Sequence, residues 1–273
     1  MKEKLTKTLV YLLLLLLGLT MLFPFLWMLA TSFMSEFEVF QFPPRFIPEK
    51  FKFSNYIEAL TALPFNKFFI NSIIVTFGYV FGQLFFCSLA GYAFAKLKFP
   101  GRDKTFMIYL STMMVPVIVT IIPTFLLINT FKLIDTYWAL ILPGLSSAWG
   151  IFLLRQFFLT IPTDLLDAAR IDGAGEFMIY WRIMLPLSKP ALATLGVFSF
   201  MSGWKEFLWA LIATNSIEMR PVEVGIAMFS SYFETNWPYQ MAAAVVVMIP
   251  IVIVFLFTQK YFVKGISLSG LKG

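Results

Sequence analysis

The chain has 273 residues, 59% of them hydrophobic and only 13% charged, with a net charge of +6. An ordinary soluble domain carries about 25% charged residues, so this composition points to an integral membrane protein. With no histidine and one cysteine, a Cys/His metal site and a Ser-His-Asp triad are excluded; the basic residues fall in short patches between apolar runs, as membrane orientation requires and nucleic-acid binding does not.

Lys2, Lys4 and Lys7 open the chain, followed by an apolar run from Thr8 to about Phe33. A signal-peptide core is about 7–15 residues long and precedes an A-x-A-like site. This run is longer and no such site follows, so it is expected to stay as a membrane anchor. Five further stretches are long enough to cross about 30 Å of hydrocarbon. The six spans are expected at about 8–33, 69–95, 105–130, 137–158, 191–213 and 239–262. Sustained two-residue alternation is lacking, which argues against a β-barrel. The expected fold is an all-α membrane protein, one domain over 1–273, with six transmembrane helices.

Placing the N-terminus inside puts fourteen of the 21 Lys and Arg on the inner side and six on the outer, with Lys205 inside a span. That bias puts both termini, and the 159–190 segment, on the cytoplasmic side.

The outer segment 34–68 holds Phe42-Pro43-Pro44-Arg45-Phe46-Ile47-Pro48, stiffened by its prolines. It reads equally as a connector or as a contact surface for an external partner. In the second span Gly78 and Gly82 form a G-x-x-x-G pair, and Gly91 with Ala95 repeats the spacing, which allows close helix approach. Pro116 and Pro123 predict kinks in the third span, and Pro143-Gly144 followed by Ser146 and Ser147 predicts a bend in the fourth.

The fifth span carries Trp204, Lys205 and Glu206. Charges in a span are costly and face the protein interior or a water-filled cavity. Being adjacent, Lys205 and Glu206 cannot face each other on a helix, so each needs a partner elsewhere. A pathway role and a structural role both stay open. In the last outer segment, about 214–238, Trp237 with Tyr239 fits an interfacial aromatic belt. The polar tail after Lys264 is too short for another span.

No phosphate-binding G-x-x-x-x-G-K-[ST] loop occurs, nor a plausible pair of catalytic carboxylates. The chain is expected to be no enzyme and to bind no cofactor; if it drives active transport, another subunit supplies the energy.

Between the fourth and fifth spans, Pro162 and Thr163 are helix-start signals. Asp164 and Asp167 lie toward the positive end of the helix dipole, and Asp167 can pair with Arg170. Ala168 and Ala169 give a small, smooth surface. Gly173 is placed to end the helix in a left-handed cap. A second short helix is expected at about 176–185, ended by Pro186. Phe177, Met178, Ile179, Tyr180, Trp181, Ile183, Met184 and Leu185 make it apolar nearly all round, so it must lie against the membrane, the span ends or a partner.

These residues carry a resemblance. Asp167-Ala168-Ala169, Gly173, Ile183 and Leu185-Pro186 have the spacing of the EAA loop, which resembles that of permease subunits of binding-protein-dependent ABC importers. The departure is Asp for the usual Glu at 167, which keeps the charge and shortens the reach. Phe152-Leu153-Leu154-Arg155-Gln156-Phe157-Phe158, Trp204-Lys205-Glu206-Phe207 and the C-terminal Gly-Leu-Lys-Gly are similar to the carbohydrate, MalG-like branch.

The resemblance implies that helix 163–172 docks on a cytoplasmic ATPase subunit, with Asp167, Ala168, Ala169, Arg170, Asp172, Gly173 and Ala174 as ATPase-coupling residues. It implies pairing with a second permease subunit, a dimer of ATPase subunits that bind the ATP, and an extracytoplasmic solute-binding protein contacted near Asn236 and Trp237. Lys205, Glu206 and Trp204 would then lie by the translocation path. The expected location is a bacterial or archaeal inner membrane, crossed several times, with lipid around the chain and no nucleic acid. The expected solute is a sugar or oligosaccharide. Glycerol-3-phosphate or another small polar solute is the alternative within the family. A stand-alone secondary carrier or channel is the alternative outside it, against which the lack of an internal repeat and the charged, shaped loop both count.

Overall fold

The structure, a computed structural model, describes residues 2–230 and 235–269, with side chains over 4–230 and 235–259. The described residues are helical, with only an isolated bridge between Ser230 and Thr235. Three continuous helices are long and apolar enough to cross a membrane: Lys4–Ser32, Phe65–Lys96 and Trp237–Gln259. Three bent pairs bring the total to six when each counts as one span.

The bends fall where the chain loses helical hydrogen bonds. Arg102–Met114 meets Val117–Thr130 at 102°, and Pro116 lies between them in an extended conformation. Without an N–H, proline cannot continue the preceding helix, and it suits the start of the next. Tyr137–Gly144 meets Ala148–Thr160 at 46°; the Ser147 hydroxyl restarts the helix by accepting the Gly150 N–H at 3.1 Å. Glu176–Leu187 meets Lys189–Trp204 at 81°, at Ser188.

Two expectations need correction. The fifth span is not one helix over 191–213. It ends at Trp204 and restarts as Leu208–Ala213. The charged pair at 205–206 lies in the break, where the Glu206 carboxylate accepts the Trp209 N–H at 3.0 Å. That satisfies a donor left open at the new helix start. Second, Pro186 does not end the helix after Glu176. Tyr180–Met184 is a π-turn, and Pro186 opens the short helical turn Leu185–Leu187, where its missing N–H costs nothing. The last helix runs on through the polar tail as far as Ser269, with the apolar span itself at Trp237–Gln259; residues 270–273 lie outside the described residues.

Backbone contacts divide the chain into two compact units, Met1–Asn66 with Val224–Ile249, and Lys67–Glu223 with Pro250–Gly273. In the first unit the segment 34–66 is folded. The Asn55 amide donates to the carbonyls of Ser32 and Met34, both at 2.9 Å. The Phe33 ring packs on Phe51, Phe53 and Tyr56. Glu38 accepts from the Ser35 N–H at 2.6 Å, the Ser35 hydroxyl at 2.7 Å and the Glu49 N–H at 2.9 Å.

The Ser35 backbone bond is the largest of the effects holding the Glu38 carboxyl below the usual carboxylate range. Because the folded pKa is the lower one, this stabilisation is complete above the ordinary carboxylate range and is lost as pH falls through the depressed value. Glu38→Ala is expected to leave three donors without this acceptor and to cost about 1 kcal/mol locally, since the donors are not fully buried and water can replace it in part. Faster amide exchange at Ser35 and Glu49 checks this; unchanged exchange at both would count against it.

In the second unit the glycines predicted to allow close approach do so. A Cβ on Gly78 or Gly82 would lie 2.7 Å from Ile141 or 2.3 Å from Leu145, and one on Gly91 would lie 3.1 Å from Leu154. The Phe65–Lys96 helix thus packs closely on the bent 137–160 span, with the Ile141 and Leu145 side chains seated over Gly78 and Gly82. At the bend, Gln83 donates to the Gly144 carbonyl at 2.6 Å and accepts from the Ser147 hydroxyl at 2.9 Å. The carbonyl freed by the bend therefore has a partner. Toward the other end, Cys87, Tyr92, Leu154, Phe158, Leu166, Ile179, Tyr180 and Met184 form one buried cluster.

Candidate functional site

The charged segment between the fourth and fifth spans folds as a capped hairpin. Its first helix runs Thr163–Ile171. Gly173 has φ +84°, the left-handed geometry that favours glycine. The Gly173 N–H donates to the Arg170 carbonyl at 3.0 Å and the Ala174 N–H to the Ala169 carbonyl at 2.9 Å. This pair of bonds is a Schellman cap, as expected for Gly173. Leu166 is 1% exposed and anchors the helix in the core, with Ala169 and Ala174 packed beside it. The opposite face is open: Leu165, Ala168 and Asp172 are exposed, and Ile171 is 87% exposed. An isoleucine so placed at the end of a fixed helix is available to another surface.

Arg170 holds the hairpin together. Its Nη1 donates to Asp167 at 2.7 Å, the pairing expected from sequence, and its Nε donates to Glu176 at 2.8 Å. The two carboxylates, Glu176 more than Asp167, push the Arg170 pKa upward, so the guanidinium stays charged. As an exposed pair, Asp167–Arg170 contributes only about 0.3–0.5 kcal/mol; its effect is to fix direction. In the second helix Ile179, Tyr180 and Met184 are buried, while Phe177, Met178 and Trp181 stay exposed. The apolar surface foreseen there is half satisfied within this chain.

A second feature lies among the spans of the second unit. A cavity of about 510 Å³ has a mostly apolar lining, Val75 and Ile121 included, with the hydroxyl-bearing residues Tyr79, Thr120, Thr124, Ser146 and Ser202 and with Glu206 and Trp209 around it. A neighbouring cavity of about 480 Å³ shares Tyr79 and Ser202 and adds Gln83, Ser147 and Ser199. Neither lining contains an ammonium or guanidinium.

Of the three span-five residues, Glu206 reaches the wall of the larger of these two cavities, and Trp204 and Lys205 line neither. Trp204 is 2% exposed and packs on Phe69 and Phe200. Lys205 is exposed and lines neither cavity. Glu206 accepts the N–H of Trp209, three residues on, and the charge of Lys205 opposes the burial that pushes the Glu223 carboxyl up.

In the first unit Asn236 caps the last helix by accepting the Tyr239 N–H at 3.1 Å, and Trp237 is 38% exposed. Glu234, in the same segment, and the C-terminal Gly-Leu-Lys-Gly lie outside the described residues.

Sequence reasoning passed over Tyr79, Gln83 and Tyr92. Gln83 left a signal, an amide in the middle of an apolar run. Tyr79 and Tyr92 left none, because an aromatic in a span is ordinary.

The chain has relatives among known proteins. The model of the family described as binding-protein-dependent transport system inner membrane component matches residues 87–268. The sn-glycerol-3-phosphate transport system permease protein UgpE of Yersinia pestis bv. Antiqua (strain Antiqua) is 38% identical over 256 residues, 91% of each chain. The arabinooligosaccharides transport system permease protein AraQ of Bacillus subtilis (strain 168) is 38% identical over 227 residues, 83% of this chain and 81% of that one. In the crystal structure of a bacterial ABC transporter involved in the import of the acidic polysaccharide alginate, one chain superposes with a TM-score of 0.85 at 28% identity. It covers 96% of this chain and 98% of its own.

Proposed function

This chain belongs to the family of inner-membrane components of binding-protein-dependent transport systems, and from that premise we propose that it forms half of the translocation path of an ATP-driven importer for a sugar or oligosaccharide. A second permease subunit forms the other half, a separate ATPase dimer hydrolyses the ATP, and a solute-binding protein delivers the solute on the outer side. Both termini and the 159–190 segment face the cytoplasm. Asp167, Ala168, Ala169, Arg170, Asp172, Gly173 and Ala174 make up the contact with the ATPase, and Asn236 with Trp237 belongs to the outer contact with the binding protein.

The observation that carries this reading is the hairpin. Its helix is capped at Gly173, held by Leu166, braced by Arg170, and exposes Leu165, Ala168 and Ile171. A segment with no nucleotide chemistry of its own, rigid and with Leu165 and Ile171 exposed among acidic residues on its free face, receives motion from another protein. Ile171→Asp tests this, because Ile171 contributes nothing to the core. The variant is expected in the membrane at normal abundance, with co-purification of the ATPase subunit reduced about tenfold or more. Undiminished co-purification would overturn the docking role.

The solute class rests on the 510 Å³ cavity. Its hydroxyls and Glu206 can exchange hydrogen bonds with a polyhydroxylated solute, and Trp209 offers an apolar face. The likeness to UgpE favours glycerol-3-phosphate as the second reading. A lining with a carboxylate and no cation suits a phosphate less well. Competition for uptake between a labelled neutral oligosaccharide and sn-glycerol-3-phosphate separates the two.

A further inference from the structure

We propose that Glu176 and Tyr92 are a positioning pair that carries displacement of the Thr163–Ile171 helix into the Phe65–Lys96 helix; this rests on the coupling role proposed above. The Glu176 carboxylate works in two directions. Oε1 accepts from Arg170 Nε at 2.8 Å, and Oε2 accepts from the Tyr92 hydroxyl at 2.5 Å. A second rung lies one turn away, where the Tyr180 hydroxyl and Ser88 Oγ are 2.7 Å apart. Ser88 continues to the carbonyls of Leu84 and Phe85.

Residues 88 and 92, and residues 176 and 180, are each four apart, so both rungs lie on one face of each helix. The phenols reach in opposite directions, Tyr92 toward the hairpin and Tyr180 away from it. Two rungs offset by a turn resist sliding as well as rotation. Tyr92 is 3% exposed and Tyr180 1%, so the phenol side of each rung is shielded, and no solvent replaces a broken Tyr180–Ser88 rung. The other Arg170 bond, to Asp167, stays within the first helix and transmits nothing onward.

The receiving helix leads to the cavity. Tyr79 lies thirteen residues before Tyr92, about 20 Å along the helix axis, and lines both cavities. A push on Arg170 thus reaches a wall of the path through Glu176, Tyr92 and one continuous helix. The π-turn Tyr180–Met184 begins at the second rung, a kind of irregularity frequent at functional sites.

The test uses the importer assembled with its partner permease, ATPase and binding protein. An environment-sensitive fluorophore is attached at Thr124→Cys, on the cavity wall, and its response to ATP with vanadate is recorded. Tyr92→Phe combined with Tyr180→Phe removes two hydroxyls and no volume. The expected result is normal ATPase co-purification and vanadate trapping, with the cavity response reduced about fivefold or more, the scale of an allosteric coupling. A purely structural role would lower yield or melting temperature and leave the response per assembled complex unchanged, which overturns the proposal. Should the double variant not assemble, Glu176→Gln gives the same reading, since it keeps an acceptor for Tyr92 and loses the guanidinium pair. Failure of the parent chain to retain the ATPase would instead overturn the coupling role itself.

Discussion

Uptake through the assembled importer is expected to fall to background when Gly173 is replaced by proline, with the protein still present in the membrane. Three effects act together. Proline holds φ near −65°, whereas Gly173 sits at +84°, so the chain cannot leave the helix in its present direction. The substitution also removes the N–H that donates to the Arg170 carbonyl. Redirecting the chain moves Glu176 away from Arg170, and the brace between the two helices opens. The combined cost is about 3 kcal/mol or more, concentrated in a hairpin away from the glycine seam of the spans, so membrane insertion is spared.

A graded series makes this specific. A Cβ at position 173 meets nothing within 4 Å, so only the backbone conformation is tested. Asn tolerates left-handed geometry and Ala does so at about 1–2 kcal/mol. Uptake should therefore rank Gly, Asn, Ala, Pro. Immunoblotting of membranes alongside uptake in vesicles checks it. Substantial uptake by Gly173→Pro would show that the cap geometry is dispensable and that this hairpin does not act as a rigid lever.

Much of this machinery was legible in the sequence because it depends on backbone rules. The cap at Gly173, the Asp167–Arg170 pair, the breaks at Pro116 and Pro143-Gly144, and the close approach at Gly78 and Gly82 each follow from what one residue type permits. What was not legible depended on partners distant in the chain. Trp204 in a span read as a path residue, but its neighbours are Phe69 and Phe200, and only packing could reveal that. Glu206 read as a charge inside a helix. It instead marks a break, because its carboxylate is close enough to Trp209 to begin a new helix. The Tyr92–Glu176 bond spans 84 positions, and no local pattern predicts it. The segment 34–66 could be stiffened by its prolines on paper; only the bonds of Asn55 and Glu38 show that it is built.

The glycine seam supplies the other large effect. Gly82→Ala adds one methyl group, yet its Cβ would lie 2.3 Å from Leu145 Cδ2 and 3.1 Å from Leu145 Cα. The side chain can rotate away; the backbone cannot, so the Phe65–Lys96 helix and the 137–160 span must separate. Separation weakens the Gln83–Gly144 bond at 2.6 Å, which serves a carbonyl at the bend. Tyr79 moves with it, since its ring fills the space over Gly144, where a Cβ would lie 1.9 Å from the ring. Overpacking of this kind costs about 1–3 kcal/mol, and a weakened buried bond adds about 1 kcal/mol more. Gly196→Ala is the matched control: the same methyl in a membrane helix, with its nearest neighbours the Leu84 methyl groups at 3.9 Å. In detergent, Gly82→Ala should lower the melting temperature by several degrees and Gly196→Ala should leave it within error. Gly82→Ala should also lower uptake per molecule inserted, because Tyr79 lines the cavity that the solute would cross. Equal melting temperatures for the two variants would mean that the seam yields without cost, and the link from the Phe65–Lys96 helix to the cavity wall would lose its rigidity.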